Sequence, residues 1–145
     1  MEEYRFYHPA EIRYGDLDPQ GHVNNAKHLT FFEQARVQYF ITLGLWSLDQ
    51  SFMDIGVILA DAQVTYLAPI HYGQKLKVGV RAVKLGNKSI SLAQNIIDVD
   101  SGEALATGGV VMVAYDYRSK KTVPVPEEWR KKIGKFEGIS ASDRT

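Results

Sequence analysis

The residues best able to do chemistry crowd into one short stretch, Tyr14-Gly15-Asp16-Leu17-Asp18-Pro19-Gln20-Gly21-His22-Val23-Asn24-Asn25. It packs two carboxylates, an imidazole and several carboxamides among breaker residues, a density of polar groups at an element junction that marks function. Asp16-x-Asp18-x-Gln20-Gly21 opens like a calcium loop, with glycine in the sixth place. The twelfth place, which needs a bidentate glutamate, is Lys27, so calcium is not expected. Histidines 8, 22, 28 and 71 lack metal-ligand spacing. The chain has no cysteine, which removes a thiolate nucleophile and any Cys-ligated metal centre. No serine sits in a nucleophile elbow, and no glycine pattern matches a phosphate loop or a dinucleotide fingerprint.

Carboxylate chemistry at the start of a helix remains. The first N–H groups of a helix opening near Asn24-Asn25 have no intrahelical acceptor and carry partial positive charge, so they suit a carbonyl oxygen and the oxyanion it becomes. Asp18 can fold back beside them, because Gly21 permits a tight turn and Pro19 stiffens the approach. A carboxylate next to an oxyanion hole suits hydrolysis of an acyl group. The competing reading makes Asp18, Asn24 and Asn25 plain cap and turn residues.

The elements around this stretch follow from hydrophobic periodicity. Residues 4–14 alternate as a strand, 15–25 form the loop, and 26–43 carry apolar residues at helical spacing up to a stop at Gly44. Leu29, Phe32, Phe40 and Leu43 make one stripe, and Phe31, Val37, Tyr39 and Ile41 extend apolar surface nearly all round, which predicts a helix buried on several sides. After a linker at 47–54, strands are expected at 57–67, 75–85, 88–98 and 103–117. Gly86-Asn87 and Ser101-Gly102 supply turns between them. The last run, apolar on both faces, reads as a central strand covered on both sides. Pro124 and Pro126 precede a short surface helix at Glu127-Glu128-Trp129, with Pro126 its N1 proline. The expected architecture is α+β, an antiparallel five-stranded sheet wrapped around one long helix, as a single domain over 1–135 with a flexible tail at 136–145.

Charge adds exclusions. Seventeen basic residues balance seventeen acidic ones, which argues against nucleic-acid or membrane-surface binding. The balance is uneven: residues 1–70 hold nine acids and four bases, 118–145 four acids and eight bases. No apolar run approaches the roughly 18 residues of a bilayer span. The start, Met-Glu-Glu-Tyr-Arg, is acidic where a signal peptide is basic. The expectation is a cytoplasmic protein.

Residues 13–25, together with Phe32-Glu33-Gln34-Ala35-Arg36, resemble the hot-dog-fold acyl-CoA thioesterases of the 4-hydroxybenzoyl-CoA thioesterase type. Val64-Thr65-Tyr66-Leu67-Ala68-Pro69-Ile70-His71-Tyr72-Gly73 is similar to that family's second strand and its exit turn. The resemblance implies that Asp18 is the catalytic aspartate, as nucleophile or general base, and that the Asn25 N–H holds the thioester oxygen. It implies no metal or redox cofactor, coenzyme A entering only as part of the substrate. It also implies a homo-oligomer, dimer or tetramer, with sheets joined edge to edge.

Asp18-x-x-x-His22-Val-Asn-Asn also resembles acyl-ACP thioesterases, in which an asparagine stands at the Gln20 position. His22 is then either a site residue or a gatekeeper near the pocket. Gln20, Gly21, Asn24 and Glu33 complete the expected substrate-binding set. Glu33 and Arg36, three apart on the helix, read as an ion pair; another hot-dog branch takes its carboxylate from this helix, which gives Glu33 a supporting role. Lys84 and Lys88 flank the Gly86-Asn87 turn and are candidates for the phosphates of coenzyme A. Acyl-ACP hydrolysis and a non-catalytic acyl-CoA-binding module are the alternatives.

Overall fold

A computed structural model describes residues 4–51 and 53–144. The acidic start at 1–3, one position of the 47–54 linker and the last position of the expected tail lie outside the described residues. The alternating segments form β1 (Tyr7–Ala10), β2 (Gly56–Tyr66), β3 (Leu76–Leu85), β4 (Ser89–Asp98), β5 (Ala104–Asp116) and β6 (Lys121–Thr122). A 3-10 turn spans Tyr14–Asp16, and the helices are α1 (Lys27–Thr42) and α2 (Glu127–Glu137). All strand pairs are antiparallel, in the order β1-β3-β4-β5-β2, with the two-residue β6 on β5. The expected five strands are therefore present, with a sixth short one added. Gly86-Asn87 closes the β3–β4 hairpin, the Gly86 N–H donating to the Ser89 carbonyl at 2.8 Å.

Facing residues across an antiparallel pair share one side of the sheet. Ala82, Leu92 and Val110 lie in one such row, Val78, Ile96 and Ala106 in another, and all are buried. α1 lies on this side and buries Phe32, Ala35, Tyr39 and Phe40. Gly108 makes the close contact possible. A Cβ there would stand 2.6 Å from the Phe32 ring and 2.3 Å from the Gln63 carbonyl oxygen. Arg36 is buried and, among the described residues, has no carboxylate within ion-pair distance, although Glu33 acts on it through space: its guanidinium donates to Gln94 Oε1 at 3.2 Å, while Gln94 Nε2 donates to the Phe32 carbonyl at 3.0 Å.

Several expectations change. The first strand shrinks to four residues, because the chain after Ala10 turns into the loop and Asp16 accepts the Arg13 N–H. β5 lies inside the sheet, but α1 covers only one face of it. Val111 and Val113 on the other face are half-buried. Leu29 of the helical stripe is 42% exposed, since the first turn of α1 overhangs towards the β2 edge where no further strand follows. α2 is not a simple surface helix, and Pro126 is its N-cap rather than N1. Trp129 and Ile133 are buried, and the helix runs two residues past the expected boundary at 135. After it, Arg130 donates to the carbonyls of Ala141 and Asp143.

α2 ends at Gly138, left-handed at φ +72°, and its last residue, Glu137, ties it to the core. Its Oε2 accepts from the Tyr39 hydroxyl and, at 2.9 Å, from the Ala82 N–H, at the point where β3 shifts register between Ala82 and Lys84. Burial first, then the bond to Glu137, holds the Tyr39 hydroxyl protonated far above the ordinary phenol range. Glu137→Ala leaves the buried Tyr39 hydroxyl without an acceptor and the Ala82 N–H with only its 3.3 Å bond to the Tyr39 oxygen, and should lower unfolding stability by about 1–3 kcal/mol. Glu137→Gln keeps an oxygen there and should lose less. Urea denaturation measures both, and an unchanged midpoint in Glu137→Ala would remove this contact from the account of stability.

Candidate active site

Residues 17–23 form a narrow loop closed by its own backbone. Leu17 and Val23 bridge antiparallel, the Asp18 N–H donates to the His22 carbonyl at 2.8 Å, and the Gly21 N–H returns to the Asp18 carbonyl at 3.0 Å. Gly21 sits at φ +84°, a conformation that strains any side chain. The loop is fastened on two sides. The Asn24 N–H donates to the Asp16 carbonyl at 2.8 Å, and the Val23 N–H to the Ile70 carbonyl, also at 2.8 Å. His22 further bridges His71, with the two rings edge-on at 4.9 Å.

The two carboxylates divide their work. Asp16 is 1% exposed, and its oxygens accept the Arg13 N–H at 2.8 Å and the Arg13 guanidinium at 3.3 Å. That carboxylate is a clasp. Asp18 is half-buried, and its Oδ1 accepts the N–H groups of Gln20 at 2.9 Å and His22 at 3.2 Å. Its Oδ2 has no hydrogen-bond partner among the described residues.

An N–H count at the helix start isolates one donor. Asn24 is bonded to Asp16, the Ala26 N–H donates to Asn24 Oδ1 at 2.9 Å, and the Lys27 N–H donates to the Asn24 carbonyl at 2.8 Å. Among the N–H groups from Asn24 to Lys27, that of Asn25 is the one without an acceptor among the described residues. It and Asp18 belong to one groove of about 310 Å³, together with Gln20, His22, His28, Tyr66 and the chain from Leu67 to Ile70.

Two of these residues carried no site role in the sequence reading. His28 is 2% exposed, and its Nδ1 has no hydrogen-bond partner among the described residues. Burial holds its imidazole below the ordinary histidine range, against the opposing pull of hydrogen bonding to the Asn24 and Asn25 carbonyls. The Tyr66 ring stands edge-on to it at 4.7 Å, and the Tyr66 hydroxyl donates to the Asn25 carbonyl at 2.9 Å. A usable signal existed: His28 lies three residues after Asn25, on the same side of the first helical turn.

The other expected residues fall elsewhere. Gly21 and Asn24 shape the loop but do not line the groove. Glu33 is exposed and, among the described residues, forms no ion pair with Arg36. It lines a separate cavity of about 360 Å³ beside Arg36, Phe40 and Trp46. The expected pair fails because the Arg36 side chain turns inward to Gln94. Lys84 and Lys88 stand at the far end of the β3–β4 hairpin, about 30 Å from the Ile70–His71 end at the rise per residue of a ten-residue strand. No group of three acidic or histidine side chains able to hold a metal ion occurs among the described residues.

This architecture has close counterparts. Residues 12–133 match the thioesterase-like superfamily. A thioesterase from Thermus thermophilus, solved with coenzyme A and zinc, is 36% identical, with a TM-score of 0.81 covering 95% of this chain and 98% of that one. The PA5185 protein of Pseudomonas aeruginosa PAO1 is 28% identical, with a TM-score of 0.83 covering 97% of this chain and 95% of that one. Among curated relatives, the long-chain acyl-CoA thioesterase FadM of Escherichia coli K12 is 28% identical over 128 residues, 85% of this chain and 92% of FadM. The chain belongs to the thioesterase-like superfamily, with the hot-dog fold, and is a thioester hydrolase.

The division between the carboxylates is open to a stability test. Asp16→Ala strands the Arg13 N–H and should cost about 1–3 kcal/mol. Asp18→Ala, whose partners are at an exposed loop tip, should cost less than half of that. Chemical denaturation compares the two, and an equal loss would contradict the assignment of Asp16 as the clasp.

Proposed function

We propose that the protein hydrolyses acyl-CoA thioesters to the free acid and coenzyme A, through a site of the 4-hydroxybenzoyl-CoA thioesterase type. The observation that carries this reading is the meeting, in one groove, of a carboxylate oxygen and a helix-start N–H that both lack partners. The thioester carbonyl oxygen takes the Asn25 N–H, which strengthens as charge develops on that oxygen. Asp18 Oδ2 then either attacks the carbonyl carbon, giving an anhydride that water opens, or draws a proton from an attacking water. Its other oxygen is held by the Gln20 and His22 N–H groups, so the carboxylate is aimed before substrate arrives. Neither route requires a metal or redox cofactor.

Gln20 and His22 line the groove as polar contacts to the substrate. A coenzyme A carrier is favoured over an acyl-carrier protein because the chain is similar to a long-chain acyl-CoA thioesterase and to a thioesterase solved with coenzyme A, and because Gln20 departs from the acyl-ACP pattern. A pure binding module has no need of a free carboxylate at this point. Asp18→Asn keeps the shape and removes the charge, and should lower kcat by about 10²–10⁴-fold or more on the best acyl-CoA of a panel. Asp16→Asn should be milder in turnover. Retention of more than about a tenth of wild-type kcat by Asp18→Asn would reject the catalytic assignment.

The working unit in this reading is a dimer or larger. β2 is an edge strand; Leu59 and Tyr66 along it and Leu67 just past its end are 49%, 48% and 53% exposed, a surface that a second β2 covers. An antiparallel join reverses the ends of the second copy. Its β3–β4 hairpin then lies on the side of the first copy's groove, which brings Lys84 and Lys88 towards the nucleotide phosphates. Sedimentation should show the active species as a dimer or larger. Lys84→Ala with Lys88→Ala should raise KM for acyl-CoA, leave kcat nearly unchanged and leave an acyl-pantetheine substrate unaffected. An active monomer, or equal loss on both substrates, would overturn this arrangement.

A further inference from the structure

Buried polar atoms in native proteins almost always have partners, so an orphan beside a reactive groove asks what supplies the missing one. His28 Nδ1 is such an orphan, on a residue only 2% exposed that lines the Asp18 groove. Helical side chains lean back over the preceding turn, which sets the His28 ring over Asn24 and Asn25. The Asn24 and Asn25 carbonyls lie beside it. One small region thus holds two groups without partners, the Asn25 N–H and His28 Nδ1.

We propose that His28 is a catalytic residue, whose imidazole donates a second hydrogen bond, beside that of Asn25, to the thioester carbonyl oxygen. This rests on the thioesterase reading above and extends it by one donor. The donor needs no positive charge. Turning the ring over about Cβ–Cγ exchanges Nδ1 with Cδ2 and Nε2 with Cε1 in nearly the same volume, so bringing Nδ1 to a bound oxygen changes little in packing. Tyr66 supports the arrangement by packing on the ring and fixing the Asn25 carbonyl through its hydroxyl. The hydrolysis keeps its balance: the acyl–sulfur bond breaks, water supplies the acid oxygen, its protons end on the thiol and in solvent, and His28 returns unchanged.

The test compares wild type, His28→Phe and His28→Gln on one acyl-CoA, with thermal melts to confirm folding. His28→Phe should lose about 10²–10³-fold in kcat with KM within a few-fold, the usual cost of one oxyanion donor. His28→Gln, which restores an N–H donor, should recover at least tenfold of that loss. A second measurement needs neither turnover nor a variant. The probe is an acyl-CoA analogue with methylene in place of the thioester sulfur, bound to wild-type protein carrying ¹⁵N-labelled histidine. The His28 Nδ1 resonance should shift on binding, and a ¹³C label at the probe's carbonyl should move downfield.

A fully active His28→Phe, or an unmoved Nδ1 with the probe bound or failing to bind, overturns the assignment. Loss in His28→Phe without recovery in His28→Gln reduces the ring to packing and overturns it equally. Failure of the thioesterase reading is distinct. It shows as a wild-type protein that hydrolyses no member of an acyl-CoA panel.

Discussion

Phe32 rests its ring against Gly108, and this contact sets where α1 crosses the sheet. A methyl group at that glycine would collide with both the ring and the Gln63 carbonyl. Close packing makes a displacement here expensive, because the helix has no softer surface to settle on. Phe32 also anchors a polar tie, since its carbonyl receives Gln94 and Gln94 receives Arg36. The helix is held laterally by apolar contact and in register by these buried hydrogen bonds. Its N-terminal turn, carrying Asn25 and His28, therefore has a fixed place relative to β2 and the Ile70 turn.

Function at the groove depends on groups that folding left unspent. Backbone donors are seldom buried without acceptors, and nearly every N–H between Asp16 and Lys27 named above is satisfied. Asn25 is passed over because Asn24 uses both its carbonyl and its side-chain oxygen on the next two N–H groups. Asp18 is passed over at one oxygen because the loop's donors converge on the other. The loop can hold these groups ready because Asp16 fixes one end through Arg13 and Ile70 fixes the other through Val23. Preorganisation of this kind lets a site meet developing charge without rearranging.

The sheet has two unequal margins. β1 is a short strand, whereas β2 is eleven residues long, bulged between Leu59 and Asp61, and lined with exposed apolar side chains. A long unpaired edge is a liability in a lone molecule and a ready joint between two. The Asp18 groove opens at one end of that margin and the Arg36 cavity lies towards the other. An antiparallel join of two copies sets one opposite the other.

Much of this was legible in the chain itself. Alternation marked the strands, the apolar run marked α1, and the crowding of Asp16 to Asn25 marked the candidate site, because these signals are local. The division of the two aspartates was not legible, since it depends on which carboxylate is buried and which backbone donors reach it. Arg36 looked paired with Glu33 because they share a helical face; the inward turn to Gln94 comes from β4, fifty-eight residues away. The burial of α2 follows from Tyr39 and Ala82, equally remote in sequence. His28 carried no signal beyond its spacing, and its meaning comes from Tyr66 and from burial that removes water from its ring. Sequence by itself determined the elements and the site's inventory of groups, because periodicity and residue type are properties of the chain. Tertiary structure decided which of those groups remain unpaired, because pairing depends on contacts between distant segments.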